Sequence, residues 1–277
     1  MITHAIEPKY PGAVESLVDI SACWDEDMLY DCRGEILRIA KSCRRCHEHA
    51  CRFLSAAGSL AGDTYRIALD SVNTTKLAGY CGRLSEREFK QHHKTPGKER
   101  VRFLSAVTNK GPMKFTDTAK ALCDRIYLLG DDHGAVSRLL LNNVRRAALD
   151  TGYDIISCYC PLGPFDKLEH IFVPELCLGF MTSNRFHDFT MEVTPYRIVN
   201  SQRFTDSDKL KSSKRRISFN RKVMSQMIGQ ASALLAEANT LHDELESYYI
   251  SATNFDRVEE LTRRLLDKVT GIQCPAN

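Results

Sequence analysis

The chain has no run of about 18 apolar residues, so no conventional membrane-spanning helix is expected. It also has little net charge. Lys and Arg total 38 against 35 Asp and Glu, a balance of +3, which by itself does not argue for nucleic acid or an anionic membrane surface. The first residues, Met1 to Pro11, are polar and interrupted by prolines. They lack the charged start and apolar stretch of a secretory signal. What is present is a soluble globular balance: 277 residues, 43% hydrophobic and 26% charged, enough for one large domain or two small ones. There are eleven cysteines, an odd number. Without a secretion signal they read as reduced thiols in the cytoplasm, several of them buried as small hydrophobes, and not as a disulfide framework.

One pattern occurs twice. Ile36, Cys43, Cys46, Ala50, Phe53, Leu54, Ala57, Leu60, Thr64 and Ile67 recur at helical spacing, and 181 positions later so do Ile217, Met224, Met227, Ala231, Leu234, Leu235, Ala238, Leu241, Leu245 and Tyr248. Ala50/Ala231, Leu54/Leu235, Ala57/Ala238, Asn73/Asn254, Arg83/Arg264 and Leu84/Leu265 are identities at that offset. An apolar stripe alone arises in any amphipathic helix; gap-free identity over such a length indicates a duplicated unit. Each unit is expected to hold a long helix (34–70 and 214–252) and a short one (73–84 and 254–269), packed as an antiparallel helical hairpin. Those arms serve either packing or a protein partner, including self-association.

Ser85 to Arg100 is charged and carries Pro96-Gly97, which predicts a linker and a domain boundary near residue 98. Beyond it the pattern changes. Val101–Val107 is β-prone, a turn falls at Asn109 to Pro112, and a helix is expected near Thr116–Cys123. An apolar strand, Arg125–Leu129, ends at Gly130; a helix follows over Ala135–Leu149 and stops at Gly152. Tyr153–Cys160 reads as the next strand and Phe172–Met181 as a further apolar run after the loop Pro161–Glu169. Strand, glycine-started loop, helix, strand is a βαβ unit, and such units build parallel sheets.

A phosphate-binding P-loop, GxxxxGK[ST], occupies this same setting. Its glycines let backbone N–H groups curl around phosphate, its lysine neutralises charge and its hydroxyl ligates magnesium. The register here is Gly130, Asp131, Asp132, His133, Gly134, Ala135, Val136 and Ser137. Ala135 replaces the second glycine and Val136 the lysine. Asp131 and Asp132 bring negative charge to where a triphosphate would sit, and a neutral His133 does not substitute for lysine. The helix N-terminus leaves weak anion binding open.

In order and spacing, Arg102–Pro112 (RFLSAVTNKGP), Arg125–Gly130 (RIYLLG), Phe172–Leu176 (FVPEL) and Leu241-His242-Asp243-Glu244 resemble the second half of a family of bacterial tandem-repeat P-loop proteins described as predicted ATPases or nucleotide kinases. His4 to Val14 resembles the segment after the last strand of that family's first half. The resemblance implies an α/β fold: a P-loop NTPase-like parallel sheet with flanking helices, plus long α-helical hairpins. Residues 1–97 would be a remnant of the first repeat, mainly its hairpin. Residues 98–277 would be the second, with a core over 101–200 and a hairpin over 213–270. It also places the family's acidic residue near Thr182, and the first half's own P-loop about fifty residues ahead of Met1. ATP and magnesium are the implied ligands, bound weakly, with hydrolysis weak or lost.

Other constellations read as follows. Cys43-Arg-Arg-Cys46-His47 spells a haem-attachment motif, but Cys43 and Cys46 align with Met224 and Met227 on an apolar face, so no haem is expected. Zinc through Cys43, Cys46, His47 and Cys51 lacks a second ligand pair. Cys158, Cys160, Glu175, Thr182 and His187 are candidates for the ligand-bearing edge of the sheet. Lys209, Lys211, Lys214, Arg215, Arg216, Arg221 and Lys222 form a basic run, either a solvated helix start or a polyanion contact; a single aromatic among them, Phe219, is too little interleaving to support nucleic acid. Two functions stay open: a nucleotide-binding protein of P-loop descent, and a non-catalytic interaction module that holds its helical arms for a partner.

Overall fold

The computed structural model describes residues 17–162 and 167–271. The family-like opening, His4 to Val14, lies outside them, as does part of the loop Pro161–Glu169. In chain order the elements are α1 (Glu26–Asp31), α2 (Arg33–Leu69), α3 (Thr74–Glu88), β1 (Glu99–Arg102), β2 (Ser105–Thr108), β3 (Gly111–Lys114), α4 (Thr116–Leu122), β4 (Arg125–Gly130) and α5 (Ala135–Asp150). Then come β5 (Ile155–Tyr159), β6 (Leu168–Val173), β7 (Leu178–Ser183), β8 (Arg197–Asn200), α6 (Ser207–Ser212), α7 (Lys214–Ala252) and α8 (Phe255–Thr270). The described chain forms two contact units. One runs from Glu48 to Ala236; the other comprises the chain up to His47 and from Glu237 onward.

The Glu48–Ala236 unit holds a six-stranded sheet ordered β1-β5-β6-β7-β4-β8. All strands run parallel except β6, which is antiparallel to both β5 and β7. The expected parallel sheet is therefore mixed. The reason lies in chain length. Cys160 and Lys167 already share a backbone hydrogen bond (2.9 Å), and a connection that short returns the chain as a hairpin, whereas a parallel crossover needs a dozen residues or more. The apolar run Phe172–Met181 likewise divides into the end of β6 and the start of β7. Pro174 opens a single 3-10 turn, and Cys177 takes a left-handed φ of 46° to reverse the chain.

Alternate residues of β4 build different cores, as the strand period of two requires. Tyr127 and Leu129 join α5 (Leu140, Leu141, Val144) and α3 (Leu77, Cys81, Leu84) on one face. Ile126 and Leu128 join Ala119 of α4, Phe189 and Val193 on the other. α3 is fastened further by Glu88, a buried carboxylate that accepts from Arg87 (2.9 Å), Arg125 (2.9 Å) and the Tyr127 hydroxyl (2.5 Å).

The segment predicted as a linker is packed inside this unit. His92 N–H donates to Thr151 O (2.9 Å) and Gly97 N–H to Leu149 O (2.9 Å). A Cβ on Gly97 would meet Tyr153 O at 1.9 Å, so only glycine allows that approach.

The repeat is visible as α1/α6, α2/α7 and α3/α8, with matched caps. Asn73 accepts from Lys76 N–H (2.9 Å), and Asn254 accepts from Arg257 N–H (3.0 Å). The junctions, however, are exchanged. In the Glu48–Ala236 unit Val72 bridges Thr205, with Asn73 N–H donating to Phe204 O (2.7 Å) and Asp206 N–H to Ser71 O (2.8 Å). In the other unit Thr253 bridges Trp24, with Asn254 N–H donating to Cys23 O (2.9 Å) and Asp25 N–H to Ala252 O (2.8 Å). Each junction joins the turn after one repeat's long helix to the lead-in of the other repeat. The hairpin expected within each repeat is replaced accordingly. α3 packs on the α/β core, and in the same unit α2 meets α7, through Ala57, Met224 and Ile228 and through Asp63, which accepts from Arg216 Nε (2.9 Å) and Asn220 (2.7 Å).

Candidate functional site

Above the C-terminal ends of β4 and β7 lies a cleft of about 1540 Å³. The loop Asp131–Gly134, Thr182, Asn184–His187, and Cys160, Lys167 and Glu169 at the β5–β6 connection form its floor; α2 (Leu54, Gly58, Ala61, Tyr65) and α7 (Lys214, Ile217, Arg221, Met224) form its walls. This edge follows from the sheet. Ligands in open α/β sheets bind beyond the carboxyl ends of the parallel strands.

The residues Gly130 to Ser137 lie together between β4 and α5, and two of their N–H groups are taken by a carboxylate. Gly130 ends β4, and Gly134 has a left-handed φ of 75° at the start of α5. Asp131 is only 4% exposed. Its Oδ2 accepts from Ser137 N–H (2.8 Å) and its Oδ1 from His133 N–H (3.1 Å). Its carboxylate therefore sits where the helix N-terminus would hold an anion. Asp132 is paired outward with Arg185 (2.9 Å). Ala135, Val136 and Ser137 are buried, and Val136 belongs to the apolar cluster with Leu140 and Val144. A nucleotide triphosphate with magnesium does not fit this loop: two of its N–H groups hold an internal carboxylate, it contains no lysine, and Val136 is apolar core. At the α5 N-terminus, where weak anion binding is expected, the Asp131 carboxylate already takes the His133 and Ser137 N–H groups.

The other candidates separate. Cys158 is core, with burial, then Glu169, pushing its thiol up to about 12. Cys160 lines the cleft, and burial pushes its thiol up to about 11 despite Lys167 at 3.8 Å; neither is a thiolate nucleophile at neutral pH. His187 is buried in the cleft floor, with burial lowering its pKa so that it is neutral. Thr182 is buried, with no partner for its hydroxyl among the described residues. Glu175 is the exception. It is exposed in the turn preceding β7, next to the strand end opposite Gly130, and pairs with His92 (2.5 Å). It does not belong to the ligand edge. Cys43 and Cys46 lie on a buried helical face beside Ala238, where Cys43 donates to Ala238 O (3.5 Å), while His47 and Cys51 are exposed.

Two groups escaped the sequence reading. Lys167 Nζ lies 2.9 Å from Glu169 Oε1, and Gly134 sits so near that a Cβ there would meet Lys167 Cε at 3.5 Å. Burial alone would raise Glu169, but the Lys167 ammonium, with His170 and His187, outweighs it and holds the carboxyl near 2; the same pairing outweighs burial at Lys167 and keeps it charged. The signal available was the spacing Lys167-x-Glu169, which puts both on one face at the start of β6. Of the basic run, Lys211, Lys214 and Arg221 line the cleft, together with Arg66, Arg138 and Arg185. Cations thus outnumber Asp131, Asp132 and Glu169, the cleft's only acids among the described residues.

Fold and site define a mixed α/β domain carrying a cationic cleft, beside a loop in which the Asp131 carboxylate accepts from the His133 and Ser137 N–H groups. No protein-family model, curated protein or solved structure matches the chain. No helix among the described residues is long and apolar enough to cross a membrane.

Proposed function

We propose that the chain is a non-hydrolysing binding protein of P-loop NTPase descent, which holds a phosphorylated small molecule of the nucleotide class in the cleft above β4 and β7. The observation that carries this is the cleft's positive lining beside a phosphate loop plugged by Asp131. A cationic, partly enclosed pocket favours anions. With two of the loop's N–H groups given to Asp131 and no lysine in it, the electrostatic machinery for phosphoryl transfer is missing, and loss of such clamping charges costs orders of magnitude in rate. The ten described cysteines are all free thiols, which supports a reducing, cytoplasmic setting.

Thermal unfolding with millimolar ATP, GTP and AMP tests the reading. A raised melting temperature with all three, independent of magnesium and without phosphate release, is the expected result. No shift with any nucleotide, or turnover of ATP above background, rejects it. A second reading, the interaction module, is favoured by one observation: α8 leaves Phe255, Leu266 and Val269 exposed, an apolar face suited to a protein partner. Under that reading the nucleotides leave the melting temperature unchanged.

A further inference from the structure

β6 carries, two residues apart, the two kinds of group that the phosphate loop and β7 lack. Lys167 is a cation lying against the loop at Gly134. Glu169 is an acid directly across the antiparallel pair from Thr182, one step beyond the partners His170 and Met181. Both Glu169 (2% exposed) and Thr182 (3% exposed) line the cleft, and the Thr182 hydroxyl has no hydrogen-bond partner among the described residues. The ammonium touches Glu169 Oε1 as an ion pair. The Cys160 thiol also bonds to this carboxylate, a weak donor that leaves acceptor capacity on it, and the Thr182 hydroxyl has no partner of either kind among the described residues. Buried polar atoms are nearly always satisfied, and unsatisfied ones aimed into a cleft point to the ligand that satisfies them. Acceptor oxygens call for a ligand that donates, and the neighbouring cation calls for a ligand with negative charge.

We propose that Lys167, Glu169 and Thr182 form the anchoring site for a sugar phosphate, free or as part of a nucleotide: Lys167 binds the phosphate, and Glu169 with Thr182 receives sugar hydroxyls. This rests on the anionic-ligand reading of the cleft and specifies its chemistry. A hydroxyl-bearing phosphate satisfies the cation and the remaining acceptor capacity together. Inorganic phosphate satisfies only the cation. The hairpin return of β6 makes the arrangement, because a parallel strand in its place would present its other end at this edge.

The test uses the full chain, calorimetric titration, and three probes: ribose 5-phosphate, AMP and inorganic phosphate. Ribose 5-phosphate and AMP should bind the unmodified protein about tenfold or more tightly than inorganic phosphate, since hydrogen bonds to a buried carboxylate are worth that factor. Ribose 5-phosphate binding as tightly as AMP identifies the sugar phosphate as the recognised unit; AMP binding alone, with ribose 5-phosphate silent, overturns the assignment. The double variant Lys167→Gln/Glu169→Gln, which removes both buried charges at once, should lose about tenfold or more in affinity for both organic probes. Thr182→Val should weaken both organic probes about threefold while leaving inorganic phosphate unchanged, which a merely structural role does not do. Unchanged affinity in a folded double variant overturns the proposal; if Arg221→Ala abolishes binding in the same series, the cationic-cleft reading survives alone. Silence of all three probes on the unmodified protein rejects both.

Discussion

α3 and α8 occupy equivalent positions in the repeat, and their surroundings differ. Both follow a long helix through the same turn, and both are capped by asparagine. On α3, Leu77, Cys81 and Leu84 are buried among residues of α5 and β4. At the matched positions of α8, Val258 and Leu265 are half-buried and Thr262 is exposed, and α8 contains no fully buried residue. Within its own unit α8 meets the turn Ser21–Cys23, whereas α3 meets a sheet-backed helix. An amphipathic pattern therefore selects which face of a helix is apolar, and the partner decides how much that face contributes.

The sharpest test compares the paired leucines. Leu84 is 1% exposed, so Leu84→Ala should cost about 2–5 kcal/mol in urea unfolding, while Leu265→Ala should cost about 1 kcal/mol or less. Equal losses would mean that α8 is as firmly packed as α3. Next is the polar fastening. Glu88→Ala removes the acceptor of two arginines and Tyr127 and should cost about 2–4 kcal/mol; the matched change Val269→Ala, at a site 65% exposed, should leave stability within about 0.5 kcal/mol.

Acid should separate the units. Burial, countered only in part by Glu169, holds His170 neutral down to about pH 4 against an ordinary value of 6.5, and His187 is lowered by the same cause. The unfolded chain takes up those protons first. The stability carried by the neutral rings is intact above about pH 6.5 and is lost as pH falls from there toward 4. Glu169, depressed to about 2, adds a further loss below its ordinary value of 4.5. All three belong to the Glu48–Ala236 unit. The only tryptophan, Trp24, packs on Tyr249 (5.1 Å) in the other. Far-UV circular dichroism should therefore begin its acid transition at higher pH than Trp24 fluorescence, and coincident transitions would reject the separation. The smallest contrast concerns the caps. Asn73→Ala should lower global stability by about 1 kcal/mol, whereas Asn254→Ala should mainly increase amide exchange along α8.

Part of this was legible in the chain. The 181-residue offset gave the helix pairs, and Leu129-Gly130 before Ala135 located the loop between β4 and α5 to within a residue or two. β8 was missed because Arg197–Asn200 is only four residues long and mostly exposed. The direction of β6 was missed because an apolar run carries no sign of strand polarity. In the cleft, the sequence shows only that Asp131 is a negative charge ahead of α5; that it accepts from the His133 and Ser137 N–H groups depends on how the loop folds.

By itself, the sequence determined the 181-residue repeat pattern, the alternation of strand and helix, and a loop between β4 and α5 that carries no lysine, because these are local patterns of residue type and spacing. Only the tertiary structure decided that the repeats exchange their junctions, that β6 turns Lys167 and Glu169 into the cleft, and that Asp131 fills the helix N-terminus. Each of these depends on contacts between residues far apart in the chain, where the periodicity of one segment does not specify the segment that will meet it.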